Sequence, residues 1–124
     1  MLNHISIGVA DIARAKAFYD AALAPLGYIC LSAGDDSLGS GRDTVALWIG
    51  KAPRPGQADR EAGLHFCFDA PSREAVAAFH KAALAAGAED NGKPGLRESY
   101  GPSYYAAFVV DPDGYRIEAY CGAA

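Results

Sequence analysis

The chain has 124 residues, a formal net charge of −4 and 51% hydrophobic residues, the composition of an ordinary globular domain. The acidic balance argues against nucleic acid as the main partner, and no apolar stretch approaches the ~20 residues of a membrane span. The chain has three cysteines without paired spacing, which predicts a reducing compartment and no disulfide framework. The first predicted strand begins too early to leave room for a secretory leader, so we expect a cytoplasmic protein.

The first half of the chain predicts a strand, a helix and three further strands. The helix follows the N-cap residue Asp11 and shows apolar residues at helical spacing. Residues 51–62 are rich in proline and charge, and they predict a linker. The predicted elements cover residues 2–9, 12–23, 28–32, 36–40 and 44–50.

The second half repeats this pattern after an offset of sixty-one residues. His4 to Phe18 and His65 to Phe79 both span fourteen residues. Asp111-Pro112-Asp113-Gly114 has the residue types of a type I turn between the last two strands. The predicted elements are a strand at 63–69, a helix at 73–86, a polar loop at 90–103 and strands at 104–110 and 115–121.

This repeat predicts one α+β domain over residues 1–124, built from two βαβββ modules at 1–50 and 63–121. One such module is too small to be stable alone, so we expect the two to share a core. The helices would cover the outer faces, and the curled mixed sheets would surround a cavity.

Three polar residues are predicted to point away from the helices, because side chains alternate between the two faces of a strand. They are His4, His65 and Glu118. Two imidazoles and one carboxylate form the facial ligand set of a divalent transition metal with open positions. Each residue alone would be typical of a hydrogen-bonded or solvated surface residue, but the repeated placement favours contact with a metal or a substrate.

Further residues are predicted to line or rim this site. Trp48 would give a flat apolar wall or pack in the core, and Cys67 would be a contact or a small core residue. The loop 90–103 would act as a lid, although its charged residues are also typical of a solvated loop. His80 is predicted to lie on a helix surface. The full set of substrate contacts comprises Ser6, Trp48, Cys67, Arg97, Tyr100, Arg116 and Tyr120, with Lys93 and Tyr104 also within reach.

Three motifs resemble the vicinal oxygen chelate superfamily, which includes glyoxalase I, extradiol dioxygenases, fosfomycin-resistance thiol transferases and bleomycin-resistance proteins. The motifs are "LNHISIGVAD", "LHFCFD" and "FVVDPDGYRIEAY", and the resemblance covers essentially the whole chain. It implies metal ligands at His4, His65 and Glu118, one divalent ion (Zn, Ni, Mn or Fe) and a small-molecule substrate. Because such modules usually pair across a dimer, it also implies a homodimer with sites near the subunit interface.

The sequence departs from each characterised branch of that superfamily. Glyoxalase I-like members take a fourth ligand from the strand that reads "TVALWIG" here, which offers none. Fosfomycin-type enzymes share the three ligands and a Trp on that strand, but they use a Lys, Arg and Ser cluster that lies partly beyond the last strand. Extradiol dioxygenases add an acid–base His and Tyr on extra strands.

These observations predict a metal-dependent enzyme of lyase, isomerase or transferase type that acts on a small oxygenated substrate. Glu118 would be catalytic, and Tyr104 or a metal-bound water would serve as the base. One alternative is a bleomycin-resistance-like protein that sequesters a drug without chemistry, and another is a fosfomycin-type thiol transferase. The last is a structural or regulatory dimer whose site has decayed.

Overall fold

The computed structural model describes residues 1–56 and 61–123, and it contains two four-stranded sheets with the same strand order. The first module comprises β1 (Ile5–Val9), α1 (Ile12–Leu23), β2 (Ile29–Ala33), β3 (Ser37–Gly41) and β4 (Val45–Lys51). The second comprises β5 (Phe66–Asp69), α2 (Arg73–Ala85), β6 (Glu89–Leu96), β7 (Tyr105–Val110) and β8 (Arg116–Cys121). Residues 57–60 of the predicted linker lie outside the described residues.

Each sheet pairs the first strand of its module with the last. β1 is parallel to β4 and β5 is parallel to β8, whereas the remaining pairs are antiparallel. Asp11 and Ser72 cap the two helices, accepting hydrogen bonds from backbone N–H groups three residues later. Apolar side chains of both helices and both sheets form one core, which confirms the predicted α+β architecture with two βαβββ modules.

Residues 89–96 form the strand β6, so the prediction of a polar loop over 90–103 was wrong for its first half. β6 lies at the sheet edge, pairs only with β7 and has register shifts on both sides of Gly92. An edge strand with bulges tolerates glycine and proline, so β6 lacks the alternation of apolar residues that predicts a strand. The connection between β6 and β7 therefore comprises residues 97–104.

His80 is buried, with 7% of its surface exposed, so the prediction of a helix-surface histidine was wrong. Its ring packs beneath β6, where Nε2 donates to Asp90 Oδ1 at 2.9 Å. This hydrogen bond lowers the pKa of Asp90 below its ordinary value. The His80–Asp90 hydrogen bond links α2 to the start of β6.

A buried carboxylate joins the two modules. Asp111, in the turn before β8, accepts hydrogen bonds at Oδ1 from the backbone N–H groups of Asp113 and Tyr115, at 2.9 and 2.8 Å. Its Oδ2 accepts from the Tyr19 hydroxyl on α1. Burial raises the pKa of Asp111 above its ordinary value, although these three donors act in the opposite direction.

Further contacts hold the same junction. The Tyr115 hydroxyl donates to the Gly8 carbonyl at 2.6 Å and accepts from the Gly56 N–H at 2.8 Å. Arg14 of α1 pairs with Asp113 at 2.7 Å. Because α1 also packs against α2, the modules meet on their helix sides, and the opposite sheet faces stay open. No helix among the described residues is long and apolar enough to cross a bilayer.

Asp111→Asn is expected to change how the free energy of unfolding depends on pH. Because the pKa of Asp111 is higher in the folded protein than in the unfolded chain, the folded state binds this proton more tightly. The carboxyl group therefore favours folding less as pH rises from about 4 through its folded pKa. Urea denaturation at several pH values should show this decline in the wild type, relative to Asp111→Asn. Exposed Asp36→Asn is the control, and a decline that persists in Asp111→Asn would contradict the assignment.

Candidate functional site

A second buried carboxylate, Glu118, lies on the open face of β8, with only 2% of its surface exposed. His65 Nε2 lies 2.9 Å from Glu118 Oε1, and the Tyr104 hydroxyl donates to Oε2 at 2.6 Å. Cys67 is the partner of Glu118 in the β5–β8 register. The predicted residues His65, Cys67, Tyr104 and Glu118 are therefore brought together.

The orientation of the His65 ring has a chemical consequence. Its Nδ1 lies 2.9 Å from the Gly63 carbonyl oxygen, which can only accept, so Nδ1 carries a proton. A neutral ring then presents the lone pair of Nε2 to a carboxylate oxygen 2.9 Å away. Either Nε2 also carries a proton and donates it to Oε1, or both atoms act as ligands of one metal ion. Metal-binding histidines show the same pattern, with the distal N–H bound to a backbone carbonyl.

Tyr104 serves Glu118 as a hydrogen-bond donor. Desolvation and the hydrogen bond to Glu118 raise the pKa of the Tyr104 phenol above its ordinary value. A phenol acts as a base only after losing its proton, which becomes harder as its pKa rises. This favours a positioning role for Tyr104 over the predicted role of base.

An aromatic cavity of about 430 Å³ opens above this carboxylate, within the size range of small-molecule sites. Tyr100 stands at its mouth with 67% of its surface exposed, and its ring contacts the Tyr104 ring. Sequence reasoning missed Phe108, although its place opposite Glu118 in the β7–β8 register follows from strand alternation. The cavity is lined by His65, Tyr100, Tyr104, Phe108 and Glu118.

His4 does not join this group. It is exposed, precedes β1, and its Nδ1 lies 2.7 Å from the Asn3 side-chain oxygen. Within residues 1–56 and 61–123, no cluster of three His, Cys, Asp or Glu side chains could hold a metal ion. One chain therefore brings together two of the three predicted ligands.

Trp48 occupies the position in the first module that Glu118 occupies in the second. Ser6 pairs with Trp48 in the β1–β4 register, as Cys67 pairs with Glu118 in the β5–β8 register. The half-buried indole lies against Gly39, where a Cβ atom would come within 2.7 Å of the ring. The open face of the first module thus carries an apolar ring where the second module carries a carboxylate.

The other predicted contacts do not line the cavity. The Tyr120 ring is 4.3 Å from that of Tyr104, and Arg97 lies over the Phe108 ring. Arg116 is half-buried on β8, and Ser6 is exposed on β1. Lys93 is exposed on β6, where its carbonyl accepts from Arg97.

Tyr104→Phe is expected to lower the free energy of unfolding by about 1–3 kcal/mol, because the buried Glu118 carboxylate would lose a donor. Chemical denaturation followed by circular dichroism measures this change. Tyr105→Phe on the neighbouring position is the matched control, since no described residue hydrogen-bonds to its hydroxyl. Equal losses in the two variants would contradict the role given to the Tyr104 hydroxyl.

Comparison with solved structures shows the same fold in several proteins. A glyoxalase/bleomycin resistance protein from Albidiferax ferrireducens T118 is 31% identical, with a TM-score of 0.83 over 95% of this chain and 96% of that one. A glyoxalase/bleomycin resistance protein/dioxygenase family enzyme from Burkholderia phytofirmans PsJN is 19% identical, with a TM-score of 0.74 and 98% of both chains covered. A genomically encoded fosfomycin resistance protein from Listeria monocytogenes is 17% identical, with a TM-score of 0.73 over 99% and 93% of the chains.

No match is found among curated proteins. The family model of the Glyoxalase/Bleomycin resistance protein/Dioxygenase superfamily matches residues 1–119, nearly the whole chain. This match agrees with the two repeated modules of the fold. The chain belongs to the Glyoxalase/Bleomycin resistance protein/Dioxygenase superfamily.

Proposed function

We propose that this protein is a metal-dependent enzyme of glyoxalase-like type that acts on a small oxygenated molecule. The observation that carries this proposal is the His65–Glu118 pair, in which Nδ1 is held 2.9 Å from the Gly63 carbonyl and Nε2 lies 2.9 Å from a buried carboxylate oxygen. Imidazole nitrogen and carboxylate oxygen are ligands for Zn, Ni, Mn or Fe. Family membership supports the same class of chemistry.

The third ligand in this proposal is His4 of a second copy of the chain. One chain supplies only two converging donors among its described residues, which is too few for a stable site. His4 is exposed just before β1, on the side of the sheet that none of the described helices covers. A homodimer in which the first module of one copy covers the second module of the other would complete the ligand set.

The residues of the chain have separate roles in the proposed reaction. A bound divalent ion would polarise the oxygens of the substrate. Tyr104 holds one oxygen of Glu118, which keeps Oε1 directed at His65. The aromatic walls give the substrate an apolar surface, and Glu118 is the carboxylate among the described lining residues; it would have to leave the ion to accept a proton from the substrate.

Sequestration of a drug without catalysis is the second candidate function. The aromatic lining of the cavity favours it, because flat apolar rings bind planar ligands without a metal. Thiol transfer of the fosfomycin type has less support, since the described residues that line the cavity include no cluster of Lys, Arg and Ser, and Arg97 over the Phe108 ring is a single cation. We also propose a cytoplasmic location, supported by the three free cysteines.

Metal analysis tests the proposed function directly. Protein purified without chelator should contain about one divalent ion per chain, as a single three-ligand site requires. His65→Ala and Glu118→Gln should lower metal affinity at least tenfold in calorimetric titrations of chelator-treated protein. Glu89→Gln, which changes an exposed carboxylate on β6, is the control. Wild-type protein that binds no metal tighter than micromolar would support sequestration instead.

Mixing two variants that cannot bind metal tests whether the two copies of the chain share the metal site. His4→Ala and Glu118→Gln homodimers should each lack a complete ligand set. After denaturation and joint refolding, a mixed dimer would contain one intact site, so metal binding should return to about half a site per chain of that dimer. If all three ligands came from the same chain, mixing would restore no binding.

A further inference from the structure

A guanidinium group is held at the rim of the aromatic cavity by its own strand. Arg97 directly follows β6, and its Nη1 and Nη2 atoms donate to the carbonyl oxygens of Gly95 and Lys93 at 2.9 and 2.7 Å. Its Cζ atom lies 5.4 Å from the centroid of the Phe108 ring. Two hydrogen bonds and a cation–π contact restrict this long side chain before any ligand arrives.

The backbone of β6 leaves the space that this guanidinium occupies. A Cβ atom at Gly92 would lie 3.2 Å from Arg97 Nη2 and 2.9 Å from Phe108 Cδ1. A Cβ atom at Gly95 would lie 3.3 Å from Arg97 Nη1. Register shifts on both sides of Gly92 bend the strand at this point. Side chains at these two positions would therefore crowd the guanidinium.

Arg97 forms no ion pair with any described residue. Its two hydrogen bonds go to neutral carbonyl groups, whereas Arg14 and Lys16 each pair with an aspartate. A guanidinium has five N–H donors in a planar fork, and two of its nitrogens are engaged here through one bond each. The remaining donors match the oxygens of a carboxylate, which the fork binds in its own plane.

The cavity beside Arg97 is shaped for a flat ring. Phe108 lies under the guanidinium and also lines the cavity, together with Tyr100 and Tyr104. The His65 ring centroid lies 6.2 Å from that of Phe108, so a planar ligand placed against Phe108 would have both His65 and Arg97 beside it. Ring stacking and an ion pair would then act on the same small molecule.

We propose that Arg97 determines the specificity of this cavity and that its ligand is an aromatic carboxylate. The inference names the substrate class of the site described above, and it rests on the proposed function only for the chemistry that follows binding. The ion pair and the ring contact require no metal. A neutral ring of the same size binds more weakly, and an organic cation is repelled by the guanidinium.

Two isosteric probes, 1-naphthoate and 1-naphthamide, test this inference on the full-length protein. Calorimetric titration of chelator-treated protein should show that naphthoate binds about tenfold more tightly than naphthamide, the effect of one charge-assisted hydrogen-bonded pair. Arg97→Gln should reduce this ratio to about one. Arg54→Gln removes an exposed guanidinium elsewhere and should leave the ratio unchanged.

Equal affinities for the two probes, or no binding of either at millimolar concentration, would overturn the inference. A preference that persists in Arg97→Gln would do the same. If that variant does not fold, the side-chain N–H signal of Arg97, assigned by its loss in Arg97→Lys, should shift with naphthoate only. Loss of metal binding alone, with the Arg97-dependent preference intact, would count against the proposed function and not against this inference.

Discussion

The arrangement of the two modules depends on the buried carboxylate of Asp111. A carboxylate that has left water must find hydrogen-bond donors for its oxygens. Two donors come from its own turn and one from Tyr19 on α1, so satisfying this charge brings the second module against the first. The junction uses the helix sides of both sheets, and their other faces therefore remain available to ligands or to a second copy.

Glu118 is buried to a similar degree, yet its surroundings differ in one respect. All three partners of Asp111 are donors with their own protons, as a structural carboxylate requires. Glu118 accepts a hydrogen bond from Tyr104, and its other neighbours are the Cys67 thiol and His65 Nε2, both of which are side chains that can ligate a metal ion. This difference in donors separates the carboxylate that holds the fold together from the one proposed to bind a cation.

The two modules share a topology but have diverged in chemistry. Trp48 stands where Glu118 stands in the other sheet, and the bent edge strand β6 holds Arg97 above an aromatic ring. The second module therefore carries the polar groups that could select a ligand. The first module offers a flat wall and His4, which would become useful only against the open face of another copy.

The sequence was enough to predict the two modules. Strand alternation and helix caps depend on neighbouring residues, and the repeat at an offset of sixty-one residues is visible in the sequence itself. The same alternation placed His65 and Glu118 on one face. The strand β6 and the burial of His80 depend on pairing with β7 and packing under the sheet edge, which are contacts between distant segments. For that reason only the tertiary structure decided that His4 lies apart from His65 and Glu118, since the packing of whole modules sets that separation.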